Sequence, residues 1–255
     1  MRTPQLSLLA AAISLVASAS TATSAYSQQT ATVPNVRSFV QVIRLKPDMV
    51  NEWMEIQRNE VIPAQKKAGI TSRTTLTTQV GNAFEYSIIT PFPKWEAFDS
   101  DAPLVKALGR DGAAQVNAKL RKCIMTQYSY MTNRVDSLTI PAPDALVWRI
   151  AVRRALPGKM NDYLAYYRAE VLPGLRKAKA SGQIAGSTIA IRGAGALSGE
   201  FTTVTYYANF AGLDGGDPLV QALGQEAAAR INAKGGEFST ATQVFVRRRI
   251  ADLSF

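Results

Sequence analysis

Arginines recur at even spacing in two β-branched segments, one near the middle of the chain and one near its end. Arg149 and Arg153 lie in WRIAVRRAL, and Arg247 and Arg249 lie in TQVFVRRRI. Because successive side chains of a β-strand point to opposite faces, the members of each pair share one face of their strand. Guanidinium groups hold carboxylates and phosphates by charge-assisted hydrogen bonds. The pattern therefore predicts an arginine-lined site for an anionic group.

The same four arginines have a structural explanation, which the sequence leaves open. Like charges on neighbouring strands destabilise a sheet unless a counter-charge lies beside them. Glu85, Glu200 or a bound anion can supply that charge. In the structural explanation the arginines lie at strand ends, where they point to solvent or pair with acidic residues.

Three further polar side chains on predicted strands complete the candidate ligand site. Gln41 belongs to the first strand, and Tyr128 and Tyr206 belong to QYSYMTNRV and EFTTVTYY. A tyrosine hydroxyl in a dry cavity can orient an oxygen atom or relay a proton. A strand tyrosine more commonly packs its ring and leaves the hydroxyl in water. No residue is therefore assigned a catalytic role.

The residue types that the chain lacks exclude several chemistries. The sequence has no histidine and a single cysteine, Cys123, which we interpret as a small buried hydrophobe. This excludes Ser-His-Asp and Cys-His nucleophile systems, imidazole zinc sites and haem held by a proximal histidine. GAGALSG (193–199) joins two strands, so it is not a dinucleotide-binding turn. We expect no metal and no cofactor, with haem bound through tyrosine or cysteine as the minor alternative.

The charge of the chain favours acidic partners. The formal net charge is +10, and 47% of the residues are hydrophobic. A basic balance of this kind suits anionic small molecules, lipid headgroups or nucleic acid. A soluble basic surface is the simpler explanation of the same charge. Because the N-terminus predicts export, we expect no nucleic-acid partner. A homo-oligomer is left open.

The N-terminus has the pattern of a secretory signal peptide. Arg2 precedes an apolar run over 6–16, and small residues then offer cleavage after Ala19, Ala25 or Ser27. The run is too short for a permanent span, which needs about 20 residues, and an uncleaved anchor is the alternative interpretation. We predict a signal peptide over 1–27, a lead over 28–35, and a mature protein that is periplasmic or secreted and has no stable membrane span.

The rest of the chain is an internal repeat. PLVKALGRDGAAQVNAK (103–119) matches PLVQALGQEAAARINAK (218–234), and the motif Arg-x-Glu-Val-(Ile/Leu)-Pro occurs at 58–63 and 168–173. The repeats run over 36–138 and 145–255. The segment TIPAPD (139–144) between them is predicted to be a proline-rich linker.

Each repeat has the pattern strand, helix, strand, strand, helix, strand. Such a βαββαβ unit is ferredoxin-like: a four-stranded antiparallel sheet with both helices on one face. The second copy can cover the other face, which predicts an α+β fold in which the two sheets pack into one pseudo-dimeric barrel with the helices outside. We expect Val40, Val42, Ile150 and Val152 to pack under the helices. Gln41 and the predicted ligand-binding arginines would then face the barrel.

This pattern, with the Glu-Val-(Ile/Leu)-Pro motif and an aromatic residue after the third strand (Trp95, Phe210), resembles the dimeric α+β barrel superfamily. Its NIPSNAP-like and antibiotic-biosynthesis-monooxygenase-like branches are the most similar. The resemblance covers nearly all of both repeats. It implies the fold, whereas members of the superfamily range from cofactor-independent monooxygenases, haem-handling enzymes and isomerases to proteins of no assigned activity.

Three functions follow as hypotheses. The first is an exported barrel that binds a small anionic or aromatic molecule in its interior. The alternative is a cofactor-independent monooxygenase or isomerase in the same cavity. A second alternative is a non-catalytic structural or interaction module with a packed barrel. The identity of the ligand is not predicted.

Overall fold

The computed structural model describes residues 35–255, which form a closed barrel of eight antiparallel strands. The predicted signal peptide and nearly all of the predicted lead lie outside these residues. The order around the barrel is β1-β3-β2-β8-β5-β7-β6-β4. The strands are β1 Asn35–Leu45, β2 Thr74–Val80, β3 Glu85–Pro91, β4 Ile124–Val135, β5 Val147–Ala155, β6 Gly186–Arg192, β7 Glu200–Tyr207 and β8 Ser239–Arg249.

Each half of the chain contributes four strands, and the halves join along the β2–β8 and β4–β6 seams. Four antiparallel steps separate β1 from β5, so these two strands run in the same direction. The halves are therefore related by a pseudo-twofold along the barrel axis. This confirms the predicted α+β fold of two ferredoxin-like repeats in one pseudo-dimeric barrel.

The helices surround the barrel and follow the same order in each repeat. They are α1 Val50–Ile56, α2 Ile62–Lys67 and α3 Pro103–Cys123 in the first repeat, and α4 Met160–Tyr166, α5 Leu172–Ala180, α6 Pro218–Leu223 and α7 Gln225–Gly236 in the second. Among the described residues, none of these helices has the length and hydropathy to cross a membrane.

A π-helical turn interrupts the first helix of each repeat at the shared Arg-x-Glu-Val motif. The turns are Gln57–Val61 and Tyr167–Val171, and a proline follows each of them. Proline lacks an N–H group and clashes with the carbonyl four residues before it. The wider π turn accommodates this defect without ending the helix. The repeated motif therefore forms the same π-helical turn in both halves.

A glycine breaks the second helix of each repeat, which the sequence predicts as continuous. Gly109 lies at φ 72°, ψ 172° inside α3, and Gly224 lies at φ 87°, ψ 162° between α6 and α7. Only glycine adopts these angles without strain. Both glycines belong to the repeated Ala-Leu-Gly triplet, so the break occurs at the same position in both repeats.

Each repeat inserts its final leucine into the helical layer of the other repeat. Leu253 packs in the core formed by Leu45, Trp53 and their neighbours in the first repeat. Leu138 packs in the core of the second repeat with Leu172. Both leucines are fully buried. The two helical layers are therefore completed only by exchange between the halves.

The strand register reverses the predicted facing of β1 and β5. Ile43 and Leu45 pack in the helical core with Trp53, so their neighbour Val42 faces the barrel. In β5, the Arg153 guanidinium carbon lies 5.6 Å from the centre of the Tyr163 ring of α4. The predicted facing was wrong because apolar side chains fill the barrel as well as the helical layers, so apolar character does not identify the helical side.

Candidate functional site

Six charged side chains gather at one end of the barrel, where β1, β2, β5 and β6 end. We call this group the polar mouth. Strand register places its members on the inner face, in two sets on opposite sides of the opening. The pseudo-twofold relates Arg44 to Arg154 and Glu85 to Glu200. The polar mouth consists of Arg44, Glu85 and Arg247 in one set, and Arg154, Glu200 and Arg192 in the other.

The first set contains a buried ion pair. Arg247 donates from Nη2 to Glu85 Oε1 and from Nη1 to Ser87 Oγ. The side chains of Arg247 and Glu85 are 6% and 7% exposed. Burial lowers the pKa of Arg247, and the Glu85 carboxylate opposes that shift. The attraction between the two charges therefore offsets part of the hydration energy that each of them lost on burial.

The second set shares one carboxylate between two arginines. Arg192 Nη1 lies 3.5 Å from Glu200 Oε2, and Arg154 Nη2 lies 3.8 Å from Glu200 Oε1. The Arg192 guanidinium carbon lies 4.3 Å from the centre of the Tyr130 ring. A guanidinium over an aromatic ring keeps its edge N–H groups available for hydrogen bonds.

Both sets contain buried polar atoms that have no hydrogen-bond partner among residues 35–255. Arg247 Nε and Thr78 Oγ1 are two of them, on neighbouring strands in direct register. Arg192 Nε and Thr132 Oγ1 are the other two, also in direct register. A buried donor without a partner costs about 1–3 kcal/mol. The polar mouth thus has hydrogen-bonding capacity that the described part of the chain does not use.

The polar mouth also carries an excess of positive charge, because four arginines face two glutamates. Arg44 and Arg154 are the more exposed of the four. Tyr128 lies on the same inner face and is 52% exposed. Burial raises the pKa of Tyr128, and the Glu85 carboxylate adds to the shift. At neutral pH this tyrosine is a protonated phenol that can donate a hydrogen bond.

Below the polar mouth the barrel is packed with side chains. Leu76, Val152 and Ser87 are almost fully buried and face inward from three strands. Two pockets of about 320 and 380 Å³ lie outside the barrel, the first around Gln183 and Asn209 and the second along α2 and α3. A ligand of the barrel would therefore meet the protein at its mouth.

Of the seven predicted ligand residues, the structure places Arg247 in the polar mouth and Tyr128 beside it on the same inner face. Arg249 and Tyr206 face inward at the opposite end of the barrel. There Arg249 Nη1 donates to the Pro143 carbonyl at 2.8 Å. Burial raises the pKa of Tyr206, whose ring lies 4.9 Å from that of Trp148.

The remaining three predicted residues lie on the outer, helix-facing side of the sheet. Gln41 shares this face with Ile43, and Arg149 shares it with Val147, which is part of a helical core. Arg153 donates from Nε to Ser239 Oγ at 3.0 Å. Their predicted place inside the barrel is corrected, because alternation identifies two faces but not which of them is inner.

Sequence reasoning missed three of the six members of the polar mouth, Arg44, Arg154 and Arg192, although a signal for two of them exists. Arg44 and Arg154 occupy the same position in the two repeats, as do Glu85 and Glu200. Because the two repeats face one another around the barrel, a charged residue found at the same position in both repeats lies at the same end of the barrel twice. Arg192 has no such signal, because Thr78 occupies the equivalent position in the first repeat.

Comparison with known proteins identifies the fold. No protein-family model matches the chain, and no curated protein matches it. A proposed monooxygenase from Lactobacillus acidophilus is 13% identical, with a TM-score of 0.51 over 86% of this chain and 94% of that one. A proposed monooxygenase from Fusobacterium nucleatum is 8% identical, with a TM-score of 0.57 over 84% and 91%. A haem-binding protein from Thermus thermophilus is 12% identical, with a TM-score of 0.51 over 86% and 92%. At these identities the likeness shows the dimeric α+β barrel fold, as the sequence pattern suggested.

The haem-binding protein also corrects the prediction that this chain has no cofactor. That prediction was drawn from the lack of histidine, and it is wrong because a protein of the same fold binds haem. Tyrosine is a haem ligand in some proteins. Tyr128 is the partly exposed phenol of the polar mouth, and the surrounding arginines complement carboxylates such as those of haem.

Proposed function

We propose that this protein binds a small organic anion at the polar mouth of its barrel. The observation that carries the proposal is the pair of buried Nε groups, on Arg192 and Arg247, that have no partner among the described residues. The excess of arginine over glutamate favours a negatively charged occupant. Arg44 and Arg154 lie nearer to solvent and meet the anion first, and the stacked guanidinium of Arg192 then supplies directed donors.

Native mass spectrometry of the protein, purified from its own source, gives the first test. A bound organic anion appears as a reproducible extra mass that is lost on denaturation. Titration with benzoate by calorimetry then measures the site directly. A bare mass together with no heat from benzoate at millimolar concentration would contradict the proposal.

Variants of arginine locate the bound anion. Arg192→Gln and Arg154→Gln are expected to weaken benzoate binding by about tenfold or more, because each removes a hydrogen bond from a charged donor. Arg149→Gln is the matched control, since Arg149 lies on the outer face of the same strand as Arg154. Equal losses in all three variants would show that net charge alone attracts the anion and that the polar mouth does not bind it.

Haem is one anion of this class that can be tested directly. A bound haem would supply redox and oxygen chemistry, with Tyr128 as the ligand to the iron and the arginines holding its carboxylates. Titration with haemin should then give a saturable change in the Soret band that Tyr128→Phe abolishes. A change that is unaffected by this variant would remove Tyr128 from the role.

Catalysis is the alternative function of the same site. In a monooxygenase or isomerase, the protonated Tyr128 would donate to a developing oxyanion, and the arginines would hold the anionic intermediate. Turnover of an added aromatic substrate distinguishes this function from simple binding. In the second alternative, a structural module, neither binding nor turnover is observed.

We also propose that the protein is exported and that its ancestry is NIPSNAP-like. The support for export is the pattern of residues 1–27, and the support for the ancestry is the repeated motif of the first helix. N-terminal sequencing of the mature protein tests export: a start after Ala19, Ala25 or Ser27 is the expected result.

A further inference from the structure

Exposed apolar side chains border the polar mouth. Val80 ends β2 and is 63% exposed, Phe84 precedes β3 and is 45% exposed, and Leu197 lies in the β6–β7 loop and is 60% exposed. The two loops lie at the same end of the barrel, because β2 and β6 end there. β2 and β6 lie four strands apart in the eight-stranded barrel, so the loops stand on opposite sides of the opening. Exposed apolar groups beside a charged opening are typical of a binding site. We call these three residues the apolar rim.

Phe84 occupies a strained backbone position. Its φ is 57°, and it is the one residue other than glycine with a positive φ among residues 35–255. A bulky side chain in this region is a rare and costly choice, whereas glycine or asparagine fits it readily. The strained backbone angle places a partly exposed aromatic ring next to Glu85 of the polar mouth. Strain of this kind is typical of ligand-binding sites.

Both loops pass close to the barrel at a glycine, one against a side chain and one against backbone. A Cβ atom on Gly81 would lie 2.6 Å from Phe245 Cδ1, and one on Gly195 would lie 2.3 Å from the Ser129 carbonyl oxygen. Both glycines have positive φ. Only glycine permits these approaches, so the loops carrying the apolar rim have a fixed place next to the charged groups.

We propose that the ligand is an amphipathic anion, whose carboxylate lies in the polar mouth and whose apolar tail lies on the apolar rim. This inference rests on the proposed function and adds the chemical class of the ligand. The charge of the opening selects the head, and the exposed side chains of Val80, Phe84 and Leu197 bury the tail. A purely polar anion would leave the rim in water.

A series of linear carboxylates tests this class. Acetate, hexanoate, octanoate and decanoate are titrated by calorimetry below their micellar concentrations, with decanol as the uncharged comparison. Each added methylene is expected to raise the affinity by about twofold to fourfold, because it removes apolar surface from water. Decanol is expected to bind at least about tenfold more weakly than decanoate.

Rim variants assign the tail contact. Phe84→Asn and Leu197→Ser are expected to remove most of the dependence on chain length while leaving benzoate binding through Arg192 in place. Phe84→Asn should also keep or raise the melting temperature, because asparagine tolerates positive φ. The controls are Trp95→Ser and Leu108→Ser, which remove exposed apolar side chains elsewhere on the protein. They should not alter the chain-length dependence.

The outcomes separate this inference from the proposed function. If benzoate binds through Arg192 but affinity does not grow with chain length, the amphipathic class is wrong and anion binding stands. If neither benzoate nor decanoate binds, both proposals fail. A second copy of the protein is the other possible occupant of the apolar rim, and light scattering on the wild type and on Leu197→Ser tests it. A dimer that this variant dissociates would overturn the inference, because the rim would then be a contact between two copies.

Discussion

Arg58 and Asp252 join the two repeats across the outside of the barrel. Arg58 Nε and Nη2 lie 2.9 and 2.6 Å from Asp252 Oδ2, although the residues are 194 positions apart in the sequence. The equivalent arginine of the second repeat, Arg168, donates from Nη2 to Ser137 Oγ at 3.2 Å. In each case the arginine of one repeat reaches the end of the other, beside the leucine that is exchanged between the helical layers.

Removal of an exchanged leucine should destabilise the whole barrel. Leu253→Ala and Leu138→Ala are each expected to cost about 2–5 kcal/mol in the free energy of unfolding, because both side chains are fully buried. Urea unfolding followed by circular dichroism measures the loss. Leu108→Ala, at an exposed leucine, should cost much less, and a loss as large as those at the buried sites would contradict the assignment.

The ion pair between Arg58 and Asp252 should contribute little by comparison. Its side chains are 37% and 52% exposed, so water screens the attraction. Asp252→Asn is expected to change the free energy of unfolding by about 0–1 kcal/mol. Raising the salt concentration should shrink that difference further. A loss of several kcal/mol would mean that the pair, and not the leucines, joins the repeats.

The buried pair of the polar mouth should show strong non-additivity. Arg247→Met or Glu85→Leu alone is expected to cost about 3–5 kcal/mol, because each leaves the other charge buried without its partner. The double variant should lose less than either single variant. A double-mutant cycle from urea unfolding measures the coupling. Additive losses would show that the two groups do not depend on one another.

The two helix-breaking glycines should resist substitution. Gly224→Ala and Gly109→Ala are expected to destabilise the protein by about 1–3 kcal/mol, because their angles are accessible almost only to glycine. Gly236 is the control: it lies in α7 at ordinary helical angles, with open space where a Cβ would be. Gly236→Ala should be neutral or stabilising by up to about 1 kcal/mol. The same effect at all three positions would contradict the observed break.

Stability should fall in strong alkali because of buried tyrosines. Burial raises the pKa of Tyr163 to about 12. In the unfolded chain a tyrosine ionises near pH 10, so between about pH 10 and 12 the folded state binds more protons and stability falls as the pH rises. The slope for one such tyrosine is about 1.4 kcal/mol per pH unit. Tyr163→Phe should reduce the slope by that amount above pH 10 and leave it unchanged at pH 8, as measured by urea unfolding. An unaltered slope would contradict the shift.

The repeat carried most of the fold prediction. Two similar βαββαβ patterns have few ways to bury both faces of their sheets, so the pairing of the two sheets follows from the sequence. The π turns and the glycine breaks were not predicted, because hydrophobic spacing alone does not distinguish a continuous helix from an interrupted one. The repeated Pro63 and Gly109 nevertheless mark both interruptions.

The candidate site was predicted only in part. Arg247 and Tyr128 were among the predicted ligand residues because the sequence shows arginines at even spacing and tyrosines on predicted strands. Arg149 and Arg153 were misplaced, because inner and outer faces of this barrel are both apolar and only tertiary packing distinguishes them. Glu85 was named as a counter-charge and pairs with the predicted Arg247, whereas Glu200 pairs with Arg192 and Arg154, which were not among the predicted arginines.

The position of Arg192 has a consequence for how a ligand is oriented. In a barrel made of two identical subunits, every group at the mouth occurs twice, and a ligand and its reversed image meet the same surroundings. Here both inner arginines belong to the second repeat, Arg247 on β8 and Arg192 on β6, and threonines, Thr132 and Thr78, occupy the equivalent positions of the first repeat. The two sides of the opening therefore differ chemically, so a single chain can distinguish one end of an asymmetric molecule from the other.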